Sequence, residues 1–212
     1  MGSVERISIA RRTGFCYGVR EAIDKAKLAN ADGKSTHTLG QVVHNEGVIA
    51  DLRKSGIESV DSLDDGYGIT NEDLYNTAKK QNVALKQGDY VIVRTGMMER
   101  CQKAGSWDGY PGGDAPGFAF ETLDFVKDTK LAALASDTWG CEVRPNQTED
   151  GINQPWHWIT IPIMGMTMGE IFELKALADD CEGDKVYEFL FVAPAIPITG
   201  AVGSPVNPLA IK

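Results

Sequence analysis

Histidine and cysteine are scarce in this chain, three of one and four of the other among 212 residues. Cys16, Cys101, Cys141 and Cys181 lie far apart and form no C-x-x-C. The expectation is therefore reduced thiols rather than disulfides, as in a cytoplasmic chain. No run of apolar residues is long enough to span a membrane. The opening "MGSVERISIARR" lacks the apolar core of a secretion signal, which predicts a cytoplasmic location. Positive charge is also in deficit. With 21 Lys and Arg against 30 Asp and Glu, the net charge of -9 argues against non-specific nucleic-acid binding, which needs clustered basic side chains. An anionic small molecule remains allowed, because it needs only a local positive site. No internal repeat is evident.

What is present is ordinary globular material, 42% hydrophobic and 24% charged. The chain is long enough for one well-buried core or two small ones. "VERISIA", 4–10, alternates like a strand. "YGVREAIDKAKLAN", 17–30, carries Val19, Ile23, Ala26 and Leu28 on a roughly helical stripe. "STHTLG" reads as a short strand, "NEGVIADLRKSGI" as a helix ending at Gly56, and "IESVDSL" as a third strand. Strand, helix, strand, helix, strand predicts a small parallel βαβ-type unit over residues 1–65.

A different rhythm begins near Gly66. Thr70 with Asp73 three positions on is a helix N-terminus signal for "ITNEDLYNTAKKQN". "LKQGDYVIVRTG" is a turn feeding a strand, and 105–117 is too rich in Gly and Pro for regular structure. A helix is predicted over 119–130, then a strand in "LAALASDT", a strand-like "HWITIPIM" and a helical "GEIFELKALADDC". "YEFLFVAPAIPITGAV" is a long apolar run whose Pro194 and Pro197 demand an edge or bends. The predicted fold class is α/β, the small parallel N-terminal unit joined to a mixed α/β remainder over 66–212.

Cys16 sits in "TGFCYGVREAI", between Gly14 and Gly18, at a predicted helix N-terminus. One reading is a small buried thiol at a strand-to-helix junction. The other is a ligand, because the helix dipole and free N–H groups favour the thiolate that binds metal. "RRTGFCYGVREAIDKA" followed by "THTLGQVVHNEGVIADLRKSGIESVDSLDD" resembles the start of the LytB/IspH family, iron–sulfur enzymes that reductively dehydroxylate hydroxymethylbutenyl diphosphate. The resemblance covers residues 4 to about 65. It implies a cluster-ligand position at Cys16 and a diphosphate-binding position at His44, and it gives His37 no role. It also implies two further cysteines, further histidines and a glutamate from later segments, which this sequence does not contain in the family's contexts. Such a cluster is held by roughly three or four cysteines, so the expectation is that no 4Fe-4S cluster forms.

From Gly66 onward, "GYGITNEDLYNTAKKQNVALKQGDYVIVRTG", "ASDTWGCEVRPNQ", "QPWHWITIPIMGMTMGEIFELKALADDC" and "YEFLFVAPAIPITGAVGSPVNPLAI" are similar to the C-terminal part of the cyclase family. That family includes kynurenine formamidases and isatin hydrolases, metal-dependent enzymes that open amides or lactam-like rings. The resemblance implies divalent-metal ligands, Zn or Mn, at His157 and at Glu170, thirteen residues on. The plainer alternative makes His157 a core or rim histidine between Trp156 and Trp158, and Glu170 a helix N-terminal acid. Asp137 and Arg144 line the implied pocket or stabilise its loop. Met164, Met166 and Met168 read as packing. The family's main ligand motif, H-x-G-T-H-x-D, is absent from this sequence, and three histidines cannot rebuild it. His37 and His44, seven residues apart and without an Asp in place, do not substitute.

The join falls in "DSLDDGYGIT". Exposed edges or apolar faces left by it would favour self-association or another protein partner. Three functions remain in play. The first is a metal-dependent hydrolase of C–N bonds with an incomplete site, acting on a small molecule. The second is an equally incomplete LytB-type reductase, and the third a non-catalytic interaction protein. The expectation is that no metal is held stably.

Overall fold

The computed structural model describes residues 17–31, 36–39, 46–55, 57–107, 109–148 and 152–212. The chain divides into two compact units, with the boundary between Asp61 and Ser62. Cys16, His44 and the strand predicted over 4–10 lie outside the described residues.

In the first unit, helix α1 (Tyr17–Ala31) precedes strand β1 (Thr36–Leu39), helix α2 (Glu46–Lys54) and strand β2 (Ile57–Val60). The two strands run parallel, in register from Thr36 opposite Ile57 to Leu39 opposite Val60. With α2 between them they make the expected βαβ unit. Helix α1 buries Ile23, whereas Leu28 is 70% exposed. Five residues advance a helix by about 500°, which carries Leu28 off the Ile23 face. In α2, Leu52 is buried, and Arg53 and Lys54 sit in the last turn against the negative end of the helix.

The second unit opens with β3 (Gly68–Ile69) and α3 (Asn71–Lys80). Helix α3 starts with the predicted reciprocal cap: Asp73 N–H donates to Thr70 Oγ1 at 3.1 Å, and Thr70 N–H to the Asp73 carboxylate at 2.9 Å. Strand β4 (Tyr90–Val93) leads into α4 (Met97–Ala104), a helix the sequence reading did not anticipate. It forms because Met97 and Met98 are both buried and the buried Glu99 is paired with Arg94 Nε at 2.6 Å. Then follow β5 (Gly117–Phe118), α5 (Thr122–Thr129), β6 (Ala133–Ser136), α6 (Pro155–Thr160), β7 (Thr167–Gly169), α7 (Lys175–Asp184), β8 (Leu190–Val192) and β9 (Leu209–Ile211). The mixed α/β class is as expected.

Strands β4, β6 and β7 form a parallel sheet in the order β4-β6-β7, and β3 pairs in parallel with β5. Leu134 and Ala135 on the central strand are fully buried, as an interior parallel strand requires. The main core gathers Ile69, Phe118, Phe125, Leu134, Trp156 and Met166. Met164 and Met168 pack against it, so the alternating methionines serve packing.

Residues 157–164, read from sequence as a strand, begin inside helix α6 instead. Pro155 stands in its first turn, where a missing N–H does no harm. Trp156 is fully buried while Trp158 is 67% exposed. A strand would put those two on one face, and a helix does not. The apolar run near the C-terminus contributes only β8, paired antiparallel with β9. Leu190, Val192, Leu209 and Ile211 share the outer face of that ribbon and are all exposed, while Phe191 turns inward against Tyr90 and Phe172. Among the described residues, no helix is long and apolar enough to cross a membrane.

One glycine sets where the site can form. A Cβ on Gly117 would overlap the Cys141 carbonyl oxygen and the Glu142 carbonyl group, so only glycine lets the 141–142 backbone lie against β5. Replacing Gly117 by Ala must displace backbone, and the expected cost is about 1–3 kcal/mol. A lowered urea midpoint checks this. An unchanged midpoint would mean that the approach relaxes freely.

Candidate functional site

The loop after β6 is pinned by Asp137. Its fully buried carboxylate accepts Thr95 N–H at 2.7 Å, the Thr95 hydroxyl at 2.8 Å and Gly96 N–H at 2.8 Å. Burial pushes the Asp137 carboxyl up, and these donors oppose the shift. The Tyr110 hydroxyl donates to the Asp137 carbonyl at 2.5 Å, and burial first, then the Asp137 charge, raises that phenol. Asp137 thus has no exposed surface to offer a substrate, and it ties β6 to the start of α4.

Downstream of this anchor the loop turns through Cys141, whose φ is 51°, and delivers Glu142 to the interior. Glu142 is 2% exposed. One of its oxygens accepts the Trp156 backbone N–H at 3.3 Å, and the other lies 2.5 Å from His157 Nδ1. Trp156 is itself fixed, stacked on Phe118 at 5.2 Å with its indole N–H on Thr122 Oγ1 at 3.0 Å. Helix α6 is therefore held by its first turn. His157 Nε2 meets Glu170 Oε1 at 3.1 Å, just beyond the end of β7.

His157 is thus bracketed by two carboxylates, one buried and one at the surface. Burial is the largest single influence on the ring and pushes its pKa down. The hydrogen bonds and charges of Glu142 and Glu170 together outweigh it and lift the pKa to about 9. At neutral pH the ring is an imidazolium donating from both nitrogens. Backbone strain surrounds the site. Cys141, Gln154 and Ile171, none of them glycine, have φ of 51°, 56° and 61°. Cys141 precedes Glu142, Gln154 lies at the mouth of α6, and Ile171 follows Glu170.

Of the residues singled out in the sequence, His157 and Glu170 are brought into contact, and Asp137 is not with them. Arg144 lies elsewhere on the loop, its guanidinium 5.0 Å over the Trp139 ring and donating to Asn153 Oδ1 at 2.6 Å. His37 sits on β1 opposite Glu58. The sequence reading missed Glu142, although it lies in the quoted run "SDTWGCEVRPN".

The arrangement is partly that of a metal-binding histidine. A carboxylate behind Nδ1 fixes the ring and leaves Nε2 facing a second acid. Yet a catalytic zinc takes about three protein ligands, and Glu142 and Glu170 approach opposite ring nitrogens. Among the described residues no group of three His, Cys, Asp or Glu could hold a metal ion. His157 and Glu170 are donors of the right kind, and they do not close a site.

The raised pKa has a sign. The protonated ring stabilises the fold fully below about pH 6.5, and that contribution disappears as pH rises through about 9. The shift corresponds to roughly 3 kcal/mol before solvent screening on the Glu170 side reduces it. Urea midpoints should fall as pH rises from about 6.5 to about 9, and the His157 ring should titrate near pH 9 by NMR. Glu142→Gln should lower that midpoint more than Glu170→Gln, because the Glu142 contact is shorter and more buried. A His157 midpoint at or below its ordinary value would contradict the bracketing.

Comparison with known proteins gives two different likenesses. Residues 7–98 match the family model described as LytB protein. The 4-hydroxy-3-methylbut-2-enyl diphosphate reductase of Alkaliphilus oremlandii is 33% identical over 113 residues, covering 47% of this chain and 40% of that protein. The reductase of the same description from Thermoanaerobacter sp. is 37% identical over 94 residues, covering 38% of this chain and 32% of that protein. A crystal structure described as a novel cyclase superposes with a TM-score of 0.61 at 34% identity, covering 71% of this chain and 49% of that one. The chain thus spans less than half the length of each of these relatives. The LytB match runs on past residue 65, so it enters the second unit. This chain resembles LytB proteins along its first part and a cyclase along most of its length.

Proposed function

We propose that the second unit carries the later part of the metal centre of a cyclase-type hydrolase of C–N bonds, acting on amides or lactam-like rings. In this reading His157 Nε2 and Glu170 are two of its ligands and Glu142 is the group that orients His157. The observation that supports it most is the Glu142–His157–Glu170 line, with contacts of 2.5 Å and 3.1 Å. A ligand histidine has its ring fixed by a partner such as a carboxylate at one nitrogen, which leaves the other nitrogen for the metal. A divalent Zn or Mn, when bound in such a site, polarises a carbonyl and lowers the pKa of a water. The donors described here are too few to hold it stably, and no hydrolytic step is assigned to this chain alone. The setting is cytoplasmic, with Cys101, Cys141 and Cys181 as free thiols.

A LytB-type reductase is the second reading, favoured by the match over residues 7–98. Its cluster finds little support among the described cysteines. Burial pushes the Cys141 and Cys181 thiols up, away from the thiolate that ligates iron.

Metal analysis and calorimetry test the hydrolase reading. Purified protein should carry less than one equivalent of Zn or Mn. Added metal should bind with a Kd of tens of micromolar or weaker, against the roughly 10 kcal/mol or more of a complete structural zinc site. His157→Ala should abolish that binding. Metal binding that survives His157→Ala would reject the ligand assignment. Stoichiometric metal with turnover of an aryl formamide or a lactam would reject the conclusion that the site is incomplete.

A further inference from the structure

Residues 189–211 contain no Asp, Glu, Lys, Arg or His, in a chain that is 24% Asp, Glu, Lys and Arg. Most of this stretch is nonetheless exposed. It forms the β8–β9 ribbon and the connection 193–208 between the two strands. Leu190, Val192, Leu209 and Ile211 are exposed on the outer face of the ribbon, and Ile196, Ile198 and Val202 are exposed along the connection. A solvated surface ordinarily carries charge on about 25–35% of its residues. Charge depletion together with exposed aliphatic side chains marks the dry centre of a protein–protein interface.

The segment is held in place on its other sides. Phe191 packs inward on Tyr90, with ring centroids 4.6 Å apart, and Val206 joins the same apolar cluster. Lys86 Nζ meets Glu188 at 3.2 Å just ahead of β8. Lys212 Nζ meets Asp180 at 2.7 Å and Asp184 at 2.8 Å just after β9. Within the connection, Ile196 N–H donates to Ser204 Oγ at 2.7 Å. Charged contacts thus fix both ends, and the outer face between them is bare and already ordered. A surface ordered before it meets its partner loses little conformational freedom on binding.

The chemistry of this face selects its occupant. With a net charge of -9, two copies of the chain repel wherever acidic surfaces meet, and the uncharged segment is a place where they do not. The same net charge disfavours an anionic lipid surface, and the segment has no Lys or Arg to hold one. The face also matches itself. Leu190 stands opposite Ile211 and Val192 opposite Leu209, so a half-turn about the centre of the ribbon exchanges Leu190 with Leu209 and Val192 with Ile211. The exposed aliphatic residues of ribbon and connection amount to several hundred Å², approaching the roughly 800 Å² that each partner gives to a standard interface. We propose that this face is the interface of an isologous dimer, in which a second copy of the chain packs ribbon against ribbon.

Sedimentation velocity on the full chain, from about 1 to about 100 μM, should show a monomer–dimer equilibrium with a Kd of about 10 μM or tighter. Added salt, to about 0.5 M, should tighten it by screening the repulsion between two acidic copies. Leu190→Glu and Leu209→Glu each put one carboxylate per copy into the dry contact, and each should weaken the dimer at least about thirtyfold. Ile163→Glu, on the exposed turn after α6, should leave the dimer unchanged. Unchanged near-ultraviolet circular dichroism shows that each variant is folded. In the unmutated chain, mixing isotopically labelled and unlabelled protein should give intermolecular NOEs among the methyl groups of Leu190, Val192, Leu209 and Ile211. A chain that stays monomeric at the highest of these concentrations, a dimer lacking those NOEs, or one that survives both folded ribbon variants would overturn the proposal. So would dissociation by salt, loss of the dimer in Ile163→Glu, or binding to phosphatidylcholine vesicles that Leu190→Glu removes. None of these readouts depends on metal or on hydrolysis.

Discussion

Both oxygens of the buried Glu142 carboxylate face α6, one on the Trp156 N–H at 3.3 Å and one on the His157 ring at 2.5 Å. A carboxylate this deep must have donors, because stripping it of water without replacing its hydrogen bonds costs several kcal/mol. The need runs both ways. The first turn of a six-residue helix has unpaired N–H groups, and Glu142 takes one of them. Trp156 and His157 are thereby located by a single side chain that arrives from another part of the sequence.

That requirement explains the unusual backbone around it. Glu142 can reach α6 only if residues 141–142 lie against Gly117, where no Cβ intervenes. The reversal that brings the chain there is made by Cys141 in the left-handed region, a conformation costly for a residue with a side chain. Cys141 is held in it by a contact from its Sγ to the Gly169 carbonyl at 3.2 Å and by complete burial. Gly169 in turn admits Phe172, Ala135 and Tyr90 into space a Cβ would occupy, which draws β7 against β6 and places Glu170 at its end. Packing and site geometry are one constraint here: the same close approaches that fill the core aim both acids at one imidazole.

The sequence was readable where local chemistry decides the outcome. Thr70 and Asp73 cap α3 as their spacing requires, and the parallel β1–β2 pair follows from strand–helix–strand order. It was unreadable where a distant partner decides. "HWITIPIM" has the β-branched content of a strand, and it starts in a helix because Trp156 docks between Phe118 and Thr122. Helix α4 went unseen because the burial of Glu99 depends on Arg94, five residues back, rather than on any apolar periodicity. At the site, His157 and Glu170 were legible through a family likeness. Glu142 lies fifteen residues before His157, inside a cyclase-like stretch that gives it no role, so the folded backbone reveals it.

The join in this sequence bears differently on a hydrophobic core and on a set of metal ligands. Among the described residues, the members of the main core, from Ile69 to Met166, come from within the second unit. Hydrophobic burial is non-directional and tolerates a changed neighbour. Coordination is neither: it needs particular atoms converging on one point. Closing an apolar interior and fixing a coordination site are thus separate demands on one fold. The outer face of the β8–β9 ribbon carries four exposed aliphatic side chains, a surface of the kind that favours association.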